Sequence, residues 1–369
     1  MSVPLEISAR VWSIGTSDLQ RLIAGKFCHD VSFASGRWQK RVPYGCSPTA
    51  YGMRGATLLR VMREAPGVLA TIALCFLSAV QVSVRAQTSA RNHFFEIPFE
   101  LVHDQILLEV KIGGKGPFTM LLDTDTDPSA IDLETARDAG LSVGSKAYQA
   151  SGGGTDKNVT FTTKIPSIEL GSLTARNIAA GTIDLKKISE RIGRPIHGVL
   201  GYSFLKDRIV QIDYPSQKIR FYETTPYPGI QNAPNMVNRI AVAFRYDEDV
   251  LIDSVFINGE KMRATLDTGS SGTLSLTPEA IKILGLEEEA QDGETKTAVG
   301  YNGEYKNRTG ILKSVRLGRL SLESVEATFW LPGTGHDKAR FHVNIGNGFM
   351  KDFVVTFDFP GKLVVLESP

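Results

Sequence analysis

Cysteine is scarce in this 369-residue chain, which has three: Cys28, Cys46 and Cys75. All lie before residue 87, so a chain cut there has no disulfide and must rest on its hydrophobic core, as its length permits. An excess of charge of one sign is also missing. The net charge is +1, and although residues 1–86 hold ten Lys/Arg against four Asp/Glu, the remainder holds 31 against 36. With no basic stripe interleaved with aromatics, nucleic acid is excluded as an expected partner. His93, His103, His197, His336 and His342 show no metal-ligand spacing, so no metal site is expected. The glycine-rich "SGGGTD" from Ser151 lacks the Lys-Ser/Thr of a phosphate loop.

The apolar stretch "GVLATIALCFLSAV", residues 67–80, is shorter than the roughly 20 residues a bilayer needs. Arg60 and Arg63 precede it, and the small residues Val84 and Ala86 follow at the −3 and −1 positions of a cleavage site, the layout of a secretory signal. Residues 1–52 then read as an extension foreign to the mature protein, with Met53 or Met62 as initiator, and residues 53–86 as the signal peptide. The product expected is exported, periplasmic or secreted, begins at Gln87 and keeps no stable membrane span.

What is there is a repeat. "VLGYSFLKDRIVQIDYPSQKIRFYE" from Val199 matches "NIGNGFMKDFVVTFDFPGKLVVLE" from Asn344, with Gly201 on Gly346, Phe204 on Phe349, Asp213 on Asp358 and Pro215 on Pro360. Upstream, "LLDTDTDPSAID" (121–132) matches "ATLDTGSSGTLSL" (264–276), with Asp123 on Asp267 at nearly the same offset. A duplication follows: 87–223 and 239–369 are two lobes, and the proline-bearing 224–238 is their linker. Alternating "ILLEVKI" and "VLIDSVFI" read as strands, and Gly113-Gly114 and Asn258-Gly259 as hairpin turns. One short helix follows each aspartate, the first capped by Asp132 and ended by Gly140, the second capped by Thr277 with Pro278 at N1 and closed by Gly285.

A strand, Asp-Thr-Gly or its variant, a hydroxyl residue, a capped helix and later an apolar pair ending in glycine: this order resembles the aspartic proteases. Each half resembles a retropepsin-like lobe, across roughly residues 92–369. The resemblance implies an all-β fold of two duplicated lobes with a cleft between them. It implies an aspartic endopeptidase, in which Asp123 and Asp267 form a dyad that activates water on an extended peptide or protein substrate. A single-chain monomer without cofactor is expected. Thr124 and Thr268 would hydrogen-bond across the lobes, Gly269 would let its loop approach closely, and the hydroxyls of Thr126 and Ser270 would reach the carboxylates. Gly201 and Gly346 would sit where a strand crosses behind each loop. Gly152, Gly153 and Gly154 in the first copy, with Gly300 and Tyr301 in the second, fall where flap hairpins belong.

Asp125 departs from that pattern, standing where the motif has glycine. Its carboxylate either points to solvent or lies near the dyad. At about 6 Å and an effective dielectric near 20, a charge there opposes ionisation by roughly 3 kcal/mol, about two pKa units. The alternative to a protease is therefore a peptide-binding pseudoprotease, impaired by Asp125. A third arrangement pairs Asp267 with its own copy in a dimer.

Overall fold

The computed structural model describes residues 94–222 and 239–369, which belong to one compact unit, Val84–Pro369. The expected signal peptide, its upstream extension and residues 224–238 of the linker lie outside the described residues.

Strands dominate, in three sheets. Each lobe is built on an eight-stranded sheet, and the two sheets repeat one another strand for strand. In the first, Gln105–Ile112 pairs with Lys115–Leu122, which runs parallel to Gly198–Leu200; in the second, Asp249–Ile257, Glu260–Leu266 and Val343–Ile345 do the same. A further pairing in each lobe, Gln105–Ile112 with Val159–Leu170 and Asp249–Ile257 with Gly303–Leu317, curls the sheet toward a barrel. The hairpin turns form at the expected places. Gly113 and Gly114 have φ of +57° and +79°, Asn258 and Gly259 +51° and +91°, so both central residues occupy the left-handed region that glycine and asparagine tolerate best.

The helices after the aspartates are also as read. Asp132 Oδ1 accepts from the N–H groups of Glu134 and Thr135 to start Leu133–Asp138, and Thr277 Oγ1 accepts from Ala280 N–H to start Pro278–Leu284, which ends at left-handed Gly285. Short helices at Lys186–Ile192 and Glu287–Asp292 were not anticipated. Neither has a side-chain cap, which removes the signal by which a short helix shows itself in sequence.

A six-stranded sheet joins the lobes in the order Phe94–Pro98, Lys218–Tyr222, Ile209–Asp213, Val354–Asp358, Leu363–Glu367, Arg239–Ala243. Three strands come from each half, and Ile209–Asp213 pairs antiparallel with its counterpart Val354–Asp358 at the centre. Phe204, Phe357 and Phe359 are fully buried in one core that runs through both halves beneath this sheet. The core leaves two smaller apolar clusters apart from it. One holds Leu107, Leu121 and Val199, the other Leu251, Trp330 and Phe341.

Asn347 adds a polar tie between the halves. Fully buried, it donates to the carbonyls of Asp104 (2.7 Å) and Thr268 (2.6 Å) and accepts from the Tyr214 hydroxyl (2.6 Å). Truncation strands two buried groups, the Tyr214 hydroxyl and Thr268 O, each costing about 1–3 kcal/mol when unpaired, and the part-buried Asp104 O as well. Asn347→Ala is expected to lower unfolding free energy by roughly 2–4 kcal/mol, read as a fall in the urea midpoint at unchanged slope.

Candidate active site

Each aspartate ends a buried strand whose register is fixed from behind. Asp123 N–H donates to Leu200 O (3.1 Å) and Asp267 N–H to Ile345 O (2.9 Å). The next turn of each loop is held the same way, by Tyr202 N–H on Thr126 O and Asn347 N–H on Ser270 O, both 2.8 Å. Gly201 and Gly346 are where these strands pass closest. A Cβ on Gly201 would overlap the Thr126 carbonyl, and one on Gly346 the carbonyls of Gly272 and Ser270.

The two loops lock to each other through their threonines. Thr124 N–H donates to Thr268 Oγ1 (3.0 Å) and Thr268 N–H to Thr124 Oγ1 (3.1 Å), while the hydroxyls donate onward to Leu266 O (2.7 Å) and Leu122 O (3.0 Å). Both N–H groups and both hydroxyls of this buried square are used. The arrangement brings Asp123 and Asp267 together at the meeting of the halves, within one chain.

Asp123 is buried, and four donors converge on it: the N–H groups of Asp125 (2.8 Å) and Thr126 (3.1 Å) on Oδ1, the hydroxyls of Thr126 (2.6 Å) and Tyr301 (2.8 Å) on Oδ2. Gly269 packs flat against this carboxylate, and a Cβ there would overlap Asp123 Oδ2 and Cγ. Among the described residues, Asp267 accepts only Gly269 N–H (2.7 Å) and the Asn344 side-chain amide (2.6 Å). Burial, and then the Asp123 charge, push its carboxyl up to about 7, against the opposing effect of those two bonds. Ser270 departs from the expected pattern. Its Oγ accepts from Gly272 N–H (3.4 Å), and Asn344 takes the place at Asp267 that Thr126 has at Asp123.

Asp125 does not point to solvent. Its side chain crosses to the second lobe, where Oδ2 meets Thr265 Oγ1 (2.6 Å) and Oδ1 accepts from Val250 N–H (3.2 Å). Burial, followed by the charges of Asp267 and Asp249, raises its carboxyl well above the usual range. Asp249, at the start of its strand, is itself pushed to about 6, chiefly by burial and against the pull of Arg340.

Above the aspartates the two flap segments touch. Asn302 N–H donates to Gly153 O (2.9 Å), Asp156 N–H to Asn302 O (2.7 Å) and Gly154 N–H to Thr334 O (3.0 Å). The Asn302 amide adds bonds to Ala150 O and Gly152 O, and Asn158 one to Tyr301 O. Gly153, Gly154 and Gly300 allow this contact, since a Cβ on any of them would strike the facing flap or His336. Gly152, at φ +125°, lies against the Tyr301 ring. The tip at Gly300 and Tyr301 thus roofs the cleft and sets a hydroxyl on Asp123.

Several site residues escaped the sequence reading. Asn344 is the clearest, yet its signal was present: the repeat places it on Val199, a polar residue where the other copy has an apolar one. His336 is half-buried under the flaps. It stacks on Trp330 with ring centroids 3.6 Å apart, and burial lowers it to about 4. His197 and His342 occupy matched positions and each accept a backbone N–H at Nδ1, from Thr119 and Arg263.

Two copies of one all-β lobe, each presenting an aspartate loop to the other, define a paired-carboxylate site. Residues 108–204 and 254–347, together more than half of the chain, match the family model described as aspartyl protease, once in each lobe. The chain belongs to the aspartyl protease family. Among solved structures it is similar to a retropepsin-like aspartic protease from Rickettsia conorii, at 23% identity over 35% of this chain and 90% of that one, with a TM-score of 0.28. It is also similar to basic 7S globulin from soybean, at 10% identity over 75% of this chain and 95% of that one, with a TM-score of 0.43. A search of curated proteins returned no match.

Proposed function

We propose that the chain is an exported aspartic endopeptidase, active as a monomer, in which Asp123 and Asp267 hydrolyse peptide bonds of an extended substrate through one activated water. The observation that carries this reading is the pair of locked loops with unequal carboxyl groups. Four donors surround Asp123, an arrangement that suits the ionised form, whereas Asp267 holds a proton up to about pH 7. In the first step Asp123 takes a proton from water as its oxygen attacks the scissile carbonyl carbon, and Asp267 gives its proton to the carbonyl oxygen. In the second, the tetrahedral diol returns a proton to Asp267, Asp123 protonates the leaving nitrogen, and the C–N bond breaks. Both carboxyl groups end as they began.

Flap strands offer main-chain partners to an extended peptide once the roof opens. Among the described residues no helix is long and apolar enough to cross a membrane. Export rests on the signal-like segment before Gln87, and N-terminal sequencing of the protein from the extracytoplasmic fraction tests it. Peptide-library cleavage by the purified protein across a pH series tests the activity, with an acid optimum expected and a basic limb near pH 7.

The closed roof favours a second reading, a peptide-binding protein with no turnover. Tyr301→Phe separates the two. The Tyr301 hydroxyl must leave Asp123 Oδ2 before water can bind there, and a hydrogen bond to a charged group contributes about 1.5–3 kcal/mol. The variant is expected to raise kcat/KM by about tenfold or more. A variant as inert as an inert parent speaks for the binding protein.

A further inference from the structure

Four positions around the aspartates break the repeat together. Asp125 stands where the second copy has Gly269, and the floor beneath it differs in step. The adjacent pair Leu121 and Val199 of the first lobe becomes Thr265 and Asn344 in the second, at the same register between parallel strands. Gln105, which donates to Gly269 O at 2.8 Å, becomes Asp249. An apolar floor under a glycine is thus replaced by a polar floor under an aspartate. Thr265 is fully buried and Asn344 nearly so, positions where unmatched polar groups are costly.

The two acceptors within reach of the single Thr265 hydroxyl proton point to one protonation state of Asp125. Thr265 Oγ1 lies 2.6 Å from Asp125 Oδ2 and 3.3 Å from Val250 O, with one proton to give to two acceptors. A protonated Asp125 supplies the missing one. Its O–H donates to Thr265 Oγ1, Thr265 donates to Val250 O, and Val250 N–H closes the ring at Asp125 Oδ1 (3.2 Å). Asp125 also carries the N–H that holds Asp123 Oδ1 at 2.8 Å, so whatever fixes Asp125 fixes the first carboxylate.

We propose that Asp125 acts as an un-ionised carboxylic acid that pins the first aspartate loop to the floor of the second lobe, a positioning residue for Asp123 and not a third acid in the chemistry. The catalytic part of this inference rests on the endopeptidase reading above. The titratable groups that face Asp125 agree with it. Asp123 on its own loop, Asp267 on the opposite loop and Asp249 on the adjoining strand all oppose a charge there. Tyr246 lies within its field on the next strand, and the cation Arg340 acts on Asp249.

The test compares the full-length wild type with Asp125→Asn, Asp125→Ala, Asp125→Gly, Thr265→Val and the double variant Asp125→Gly/Thr265→Leu, in kcat and KM against pH and in thermal melts. Asparagine copies the neutral ring, with its N–H on Thr265 Oγ1 and its carbonyl on Val250 N–H. It is expected to keep kcat within about threefold and to leave the basic limb where the wild type has it, since no charge has been removed. Thr265→Val is expected to cut kcat about tenfold with KM within about twofold. The double variant, which restores the pair found in the other lobe, is expected to melt above Asp125→Gly. A basic limb lowered by a pH unit or more in Asp125→Asn overturns the proposal, as does a double variant that melts at or below the single. Should the wild type cleave no peptide at any pH, the endopeptidase reading falls and the melts still decide. Asp125→Asn melting with the wild type at pH 5, while Asp125→Ala and Thr265→Val melt lower, upholds the pin; equal melting of all four overturns it.

Discussion

Asp267→Asn is expected to lower kcat by at least about three orders of magnitude while making the folded protein more stable at neutral pH. The first effect follows from the proton cycle, because an amide neither gives a proton to the scissile carbonyl nor takes one back. The second follows from linkage. Asp267 titrates at about 7 in the folded protein against an ordinary 3.8, so the folded state keeps a proton that the unfolded chain has released. That stabilisation is complete below about pH 4 and is lost as pH rises to 7. Three pH units correspond to an upper bound of roughly 4 kcal/mol. Asparagine does not titrate, so the variant's melting temperature should fall less between pH 4 and 7 than the wild type's. Wild-type turnover by Asp267→Asn would remove the dyad assignment altogether.

Gly269→Ala should be nearly as damaging, for a steric reason. No left-handed backbone is needed at Gly269; what matters is that its Cα faces the Asp123 carboxylate with no room for a methyl group. Either the carboxylate moves, abandoning the bonds from Thr126, or the second loop retreats and the bond from Gly269 N–H to Asp267 lengthens. A displacement near 1 Å at reacting groups costs about 10²-fold, so a drop in kcat of about 10²–10³ is expected. Overpacking of about 1–3 kcal/mol should lower the melting temperature by several degrees. Retention of both kcat and melting temperature would show that the cleft has slack at its closest contact.

Much of this site was readable because the chain is written twice. Asp123 and Asp267, the threonines beside them and the glycines behind them stand out on aligning one half with the other, and the hairpins announce themselves through Gly113-Gly114 and Asn258-Gly259. The helices at Lys186–Ile192 and Glu287–Asp292 lack the N-cap side chain that marks the other two, so their starts left no such mark. The direction taken by Asp125 was beyond local reading, since its partners Val250 and Thr265 lie 125 and 140 residues away and belong to the other lobe. Equally, nothing near Tyr301 says that its hydroxyl ends on Asp123, a contact that depends on how the flap folds over. The departures from the repeat, Asn344 on Val199 and Thr265 on Leu121, held that information. Their meaning required knowing which strands lie side by side.

The central pairing of Ile209–Asp213 with Val354–Asp358 bears on how the molecule comes apart. Each half closes its own three-stranded ribbon, from Phe94–Pro98 to Ile209–Asp213 and from Arg239–Ala243 to Val354–Asp358, and each would present a bare row of backbone donors and acceptors if its partner left. Such a row is a template for wrong pairing. Because the core beneath it also runs through both halves, neither lobe holds a complete interior alone. The two halves are therefore expected to come apart in one cooperative event, checked by whether probes placed in each lobe report coincident unfolding transitions.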